Sequence, residues 1–378
     1  MRSAVSEASA PGAPRAVLAP WLDALLVGGA SLVAVPLLVL LADRPVKEVA
    51  GGALVLLGVL FNWPHFVASY HLLYATRASV RAHRVAALYV PAFLLLYALA
   101  AVALAAWQPL FLNLLLVGSG VYLARHYTGQ AWGMMVSFAH VGGASFAPGE
   151  RKLFRLDLDV VMVWHVIWAL RQSVRLLPPA LEEPVLRLYA WSFGLLGVGF
   201  ALGLVALVRF VQRTRRLPPW RVLLPWLAIH VWYLAMARNF TALLAVQIGH
   251  ALQYLAFPMR VTLNRAQPGP RVDWKRAGIM LASWTLIGLA VFEGLEPLFQ
   301  LGFEAGGGKG SLPGTLSGAV IAAIAIHHYV IDGALYKLRN PEVRRDLFAH
   351  LPPAKAAPPA QPAPALADEA LAGRLSAG

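Results

Sequence analysis

Ten apolar stretches follow one another along the chain, separated by short polar or charged segments. About 20 apolar residues in a helix cross the roughly 30 Å hydrocarbon core of a bilayer, so each stretch predicts a membrane-spanning helix. The predicted spans cover residues 17–42, 50–76, 85–107, 109–137, 155–178, 187–212, 219–237, 239–262, 275–302 and 312–338. The pattern predicts an all-α, polytopic integral membrane bundle of about ten transmembrane helices.

The segments outside these spans predict one membrane domain with two tails. Residues 1–16 predict a flexible N-terminal tail, and residues 17–339 predict the transmembrane helical domain. Residues 340–351 form a short charged segment. Residues 352–378 are rich in Ala and Pro and lack periodicity, which is typical of a disordered tail.

Lysine and arginine concentrate in every second loop, as at Arg213, Arg215 and Arg216. Because cytoplasmic loops carry such an excess, the pattern places these loops and both termini in the cytoplasm, as expected for a bacterial-type inner membrane protein.

With 59% hydrophobic and 13% charged residues, the composition excludes an ordinary soluble domain. The net charge of +14 then indicates topology and anionic lipid contact rather than nucleic acid. The absence of cysteine excludes disulfides and thiolate metal sites.

Histidines fall at similar depths in several predicted spans. Counted from the basic residues at the cytoplasmic edges, histidines on six helices lie about 14–18 Å deep, near the bilayer midplane. Ionisable groups at that depth are costly and usually functional. Imidazole is the commonest metal ligand, and without thiolates the set suits iron, copper or zinc. The candidate ligands are His65, His126, His165, His250, His327 and His328. The pattern does not decide whether His71 and His230 belong to the site.

Polar residues beside these histidines are candidate catalytic groups. Tyr254 lies one helical turn from His250, and Asp332 lies one turn from His328, where each can orient a ligand or hold a bound oxygen species. Arg125 adjoins His126 deep in the fourth span. A buried arginine needs an anionic partner, which for Arg125 is Asp332, a substrate carboxylate or a haem propionate.

Two short segments carry a resemblance to a known family. Pro64-His65 and Trp164-His165, the latter within residues 161–166, resemble fragments of the Brp/Blh family of bacterial carotene dioxygenases. Those are multi-helix membrane proteins whose iron is held by histidines alone. Membrane fatty-acid desaturases and hydroxylases are a more distant comparison, although their HxxxH and HxxHH boxes are absent here. The resemblance implies non-haem iron, with one or two ions, in an oxygenase of lipids.

Three functions remain open at this point. The first is an iron-dependent oxidoreductase or oxygenase that acts on a fatty acyl chain or isoprenoid dissolved in the bilayer, supplied with electrons by a separate donor. The second is a haem-binding membrane protein, and copper is a further alternative to iron. The third is a histidine-lined proton or metal transporter. The sequence predicts no separate cofactor-binding residues.

Overall fold

The structure is a computed structural model that describes residues 15–41, 47–305, 311–335, 338 and 340–351. Across these ranges the chain is helical and contains no β-strand. The tails predicted for residues 1–16 and 352–378 fall outside the described residues, except for residues 15 and 16.

The helices follow the apolar stretches of the sequence. The first eight are α1 (Pro20–Ala24), α2 (Ala30–Leu41), α3 (Lys47–Leu57), α4 (Trp63–Tyr74), α5 (Arg77–Ala82), α6 (Val90–Leu104), α7 (Leu110–Val141) and α8 (Pro148–Gln172). The others are α9 (Glu182–Thr214), α10 (Trp220–Arg238), α11 (Ala242–Ala266), α12 (Trp274–Phe292), α13 (Leu295–Ala305), α14 (Leu312–Leu335) and α15 (Pro341–Phe348). Three π-helical turns interrupt this pattern, at Leu25–Gly29, Gly58–Asn62 and Val85–Tyr89.

Eight helical segments of the described chain are long and apolar enough to cross a membrane. They are Pro20–Leu40, Gly52–Tyr74, Val85–Leu104, Pro179–Thr214, Trp220–Arg238, Ala242–Ala266, Trp274–Glu304 and Leu312–Leu335. They coincide with eight of the ten predicted spans, which confirms the class of helical membrane bundle. The other two predicted spans coincide with α7 and α8. These helices have 32 and 25 residues, but they are too polar to be counted among the eight apolar segments. The count of ten spans and the cytoplasmic location of the termini stay predictions.

The two ends of the described chain meet at one end of the bundle. His350 donates from Nε2 to the Ala16 carbonyl at 2.8 Å, and its Nδ1 accepts from Asn264 at 3.2 Å. Burial lowers the pKa of His350 to about 4, so the ring is neutral near pH 7 and can make both bonds. We call this region, where α15 packs against α11, the α15 end of the bundle.

Four helices run in parallel and finish at the α15 end. The last turn of α11 reaches α15 through Asn264, whose side chain bonds the Leu347 carbonyl. The end of α7 reaches it through His140, whose ring lies 4.6 Å from that of Phe348. The ends of α4 and α14 line one cavity with α11. The four helices therefore run in the same direction and surround one interior, in which the site described below lies.

Each π-helical turn offers a backbone carbonyl to a side chain. A π-helical turn breaks the regular i→i−4 ladder, so a carbonyl inside it is free to accept another donor. The three donor–acceptor pairs are Gln253 with Val27, His65 with Asn62, and His327 with Ala86, at N···O distances of 2.8, 2.5 and 2.7 Å. Irregular backbone is tolerated at membrane depth when protein groups satisfy it. The three turns therefore fix polar side chains around the interior.

Gly28 allows the first π-helical turn to pack against α10, and Gly28→Ala is expected to destabilise the protein. Its φ of 158° favours glycine, and an added Cβ would lie 2.7 Å from the Leu224 carbonyl oxygen. We expect a loss of about 1–3 kcal/mol, measured as a lower midpoint of thermal unfolding in detergent. Gly58→Ala is the matched control, since nothing lies within 4 Å of the Cβ it would add in the second turn. Equal midpoints for the two variants would contradict this account.

Candidate metal centre

Four buried histidines converge in the interior that the four parallel helices surround. His65 comes from α4, His126 from α7, His250 from α11 and His328 from α14. One ring nitrogen from each lies within 4.8 Å of those of the other three. All four side chains are nearly excluded from solvent, with His126 the most exposed at 7%. Separate helices thus deliver four imidazole donors to one small volume.

The hydrogen bonds of these rings leave donor atoms available for a metal ion. His65 bonds the Asn62 carbonyl through Nδ1, which places its proton there and leaves the Nε2 lone pair without a partner. Neither ring nitrogen of His328 has a partner. His126 and His250 bring their Nε2 atoms to 2.8 Å from each other. Metal bonds of 2.0–2.1 Å at angles between 90° and the tetrahedral angle give about 2.8–3.4 Å between neighbouring ligand atoms, so the spacing lies at the short end of that expected for two ligands of one ion.

A carboxylate network lies directly beside the four rings. Asp332 accepts hydrogen bonds through Oδ1 from Ser69 at 2.8 Å and from Tyr254 at 2.9 Å. Its Oδ2 has no hydrogen-bond donor and faces His328 Nε2 at 3.5 Å and His126 Nε2 at 3.8 Å. The arrangement holds one carboxylate oxygen in place and points the other toward the centre. Oδ2 can therefore serve as a further ligand or accept a proton from a molecule bound there.

Aromatic side chains enclose the centre. Tyr329 stacks on His126 with ring centroids 4.6 Å apart, and Tyr127 packs on His250 at 4.5 Å. Phe66 covers His328 at 4.4 Å. An apolar shell of this kind excludes bulk water and favours the neutral, metal-binding form of imidazole.

Two of the six predicted ligands lie outside the group. His327 faces away from it, donating from Nε2 to the Ala86 carbonyl and accepting at Nδ1 from Tyr70 at 2.9 Å. Consecutive residues point about 100° apart on a helix, so only one member of the His327-His328 pair can face the centre. His165 bonds Tyr233 at 2.9 Å, and the ring of Tyr127 lies between it and His250. Of the six predicted ligands, the structure therefore brings four together.

The two histidines that the sequence left unassigned also lie elsewhere. His71 is exposed and packs beside Trp284. His230 faces Asp157, with Nε2 3.1 Å from Oδ1, while Trp226 donates to the other oxygen at 2.5 Å. The structure buries the Asp157 carboxylate completely. This second polar cluster lies apart from the four histidines of the centre.

The sequence predicted that Arg125 is buried, but the structure exposes its side chain. Its neighbour His126 turns into the centre, so Arg125 lies on the exposed surface of α7. It forms no salt bridge with Asp332 among the described residues, and the hydroxyl groups of Tyr254 and Ser69 already donate to that carboxylate and hold its position. Of the three predicted catalytic groups, the structure brings Tyr254 and Asp332 to the centre and leaves Arg125 outside it.

A partly polar cavity of about 190 Å³ lies between the centre and the α15 end. Three of the ligand-bearing helices line it, through Leu72, Val261 and Leu335. Leu335 is three residues beyond Asp332, a separation of about 5 Å along the helix axis. Ser79 and Arg265 contribute polar groups to the same cavity. None of the residues that line this cavity belongs to the centre itself.

Comparison with protein-family models, with curated proteins and with solved structures gives no match for this chain. The resemblance to carotene dioxygenases thus remains one of short segments. The geometry of the centre defines a buried four-histidine cluster that could hold a metal ion in a helical, membrane-type protein.

Proposed function

We propose that this chain is an integral membrane metalloprotein with one transition-metal ion, iron in the first place, bound by His65, His126, His250 and His328. The observation that carries the proposal is the convergence of four buried imidazole donors, two of them with unsatisfied Nε2 atoms. Imidazole ligands without thiolates suit iron, copper and zinc, and the resemblance to histidine-ligated oxygenases favours iron. Asp332 is the proposed carboxylate at the same ion.

The donor set favours a single bare ion over haem or two ions. A haem iron takes only axial ligands from the protein, so four converging histidines exceed what it can bind. Two-metal sites hold their ions about 3.5–4 Å apart and need more ligands than four imidazoles and one carboxylate supply. We therefore propose a mononuclear, non-haem centre.

The proposed reaction is the oxidation of an apolar lipid or isoprenoid by dioxygen. A bound iron would supply dioxygen activation, and the protein would supply the rest. Four histidine ligands would leave coordination positions of the ion open for further ligands. The rings of Phe66, Tyr127 and Tyr329 exclude water from the centre. Asp332, fixed by Ser69 and Tyr254, would hold or accept a proton beside the reacting molecule. A substrate dissolved in the bilayer already lies at the depth of the centre. Any external electrons would come from a separate donor.

Purification in mild detergent, followed by metal analysis and absorption spectroscopy, tests the metal. We expect about one iron per chain and no Soret band, because four histidines suit a mononuclear ion. A Soret band would favour haem, and zinc as the only metal would refute dioxygen chemistry. A protein that retains no metal and is unaffected by chelators would refute the centre altogether.

Expression in bacteria that accumulate β-carotene tests the substrate class. We expect loss of carotenoid absorbance and formation of shorter products that depend on dioxygen and on an intact centre. The matched control is His328→Ala, which removes a donor without touching the membrane surface. Retained carotenoid with altered fatty acyl chains would assign the reaction to acyl lipids. If neither pool changes while iron is bound, the oxygenase proposal is wrong although the metal centre stands.

A further inference from the structure

The outer surface of α7 and α8 carries charges at a depth where a lipid-facing surface should carry none. Arg125 on α7 and Asp159 on α8 are both exposed. Neither side chain forms an ion pair or a hydrogen bond within the described part of the chain. These two helices are also the long ones that fall outside the apolar group. Unpaired charges facing hydrocarbon are costly, so another surface is needed to cover them.

The two charges belong to one continuous surface. An added Cβ on Gly120 would lie 3.7 Å from that of Ala169, and the guanidinium of Arg155 lies 5.9 Å from the Trp132 ring. These contacts show that α7 and α8 are antiparallel neighbours. Asp159 lies one turn along the same face of α8 from Arg155, and Arg125 lies two turns from Trp132 on α7.

The charged groups also lie at one level. Interpolation between the two contacts places Gly129 of α7 beside Asp159 of α8. The Arg125 side chain extends toward Gly129, since its Nη1 is 3.7 Å from the position of a Cβ there. The guanidinium and the carboxylate thus share a depth and a face while remaining unpaired within one chain. A two-fold axis along the membrane normal brings residues of equal depth together.

We propose that the α7–α8 surface is the interface of a homodimer in which Arg125 of each chain pairs with Asp159 of the other. The interface is isologous, so each ion pair occurs twice and a single surface is complementary to itself. Burial between chains provides each charge with a partner and removes it from lipid. Gly133 leaves open space around its Cα atom, which permits close approach of the two α7 helices.

Single-cysteine crosslinking tests the interface, because the natural chain contains no cysteine. Gly133→Cys places a thiol on the proposed interface, and Gly197→Cys places one on the exposed surface of α9. Gly133 is half-buried and Gly197 is exposed, so a free thiol is the more accessible in the control, and both positions have nothing within 4 Å of an added Cβ. A short bis-maleimide in native membranes should give at least about fivefold more crosslinked dimer for Gly133→Cys, since the symmetry axis runs beside that position. Equal yields, or no dimer, would overturn the proposal.

Charge exchange tests the ion pair itself. In the Gly133→Cys background, Asp159→Arg should lower the crosslinked fraction at least about tenfold. The substitution places a positive side chain opposite Arg125 of the other chain, and the two like charges repel each other. Adding Arg125→Asp should restore it to the starting level. An unchanged fraction in the single variant would refute the pair and favour lipid phosphate as the partner of Arg125. Loss without recovery in the double variant would also refute it. Metal content, measured in parallel, shows whether each variant is folded.

Discussion

Replacing His328 with alanine is expected to reduce the bound metal from about one ion per chain to background. Both ring nitrogens of His328 lack protein partners, and the ring lies next to those of His65 and His126, with centroids 4.6 and 4.9 Å away. Groups behind the ligands of a metal site contribute about 10–100-fold to affinity, so losing a ligand itself should cost more than about 100-fold. Metal analysis after purification, with titration of the apoprotein, measures the effect.

The adjacent residue supplies the control. His327→Ala alters the same helical turn and the same residue type, but both nitrogens of His327 already serve Tyr70 and the Ala86 carbonyl. It should therefore leave metal content unchanged, although stability falls because Tyr70 loses a buried partner. If His327→Ala releases the metal and His328→Ala retains it, α14 faces the centre with its other side and the proposed ligand set is wrong.

Asp157→Ala is expected to produce one of the largest losses of stability in the chain. The carboxylate is fully buried and accepts from Trp226 while it faces His230. Removing one partner of a buried polar cluster costs about 3–5 kcal/mol, because the remaining groups are left without compensation. Thermal unfolding in detergent, followed by tryptophan fluorescence, should show the lower midpoint.

Two further variants serve as controls for the stability measurement on Asp157→Ala. Asp157→Asn keeps an oxygen for Trp226 and should lose markedly less stability than Asp157→Ala. Leu156→Ala changes the preceding, 44% exposed residue and should have little effect. Similar losses for all three would show that the helix itself, rather than the Asp157 cluster, is sensitive to substitution. Retained metal in Asp157→Asn would separate this cluster from the centre.

The prediction that histidines from several helices share one level depends on distance along each helix. A rise of 1.5 Å per residue converts sequence separation into depth once the helix ends are known. The four histidines of the centre lie on helices that run in the same direction toward the α15 end. They stand at unequal distances from the ends of those helices, yet their ring nitrogens meet in one small volume. The same reasoning placed Tyr254 and Asp332 one turn from His250 and His328, and both reach the centre.

The direction in which each residue points could not be predicted this way. Arg125 and His126 are neighbours, as are His327 and His328, and in each pair the structure turns one residue inward and the other away. The rotation of a helix about its axis depends on which side packs against its neighbours, and apolar residues surround these helices on every side. The hydrophobic pattern therefore gives no preferred inner face.

The sequence by itself determined the helical membrane class and the eight most apolar spans, because hydrophobic length is a property of single segments. The tertiary structure alone decided which four imidazoles converge, that Ser69 and Tyr254 hold Asp332, and that Asp157 pairs with His230. It also decided that π-helical turns hold His65 and His327 in different orientations. These outcomes depend on contacts between helices distant in sequence, such as Ser69 with Asp332, which no local pattern encodes.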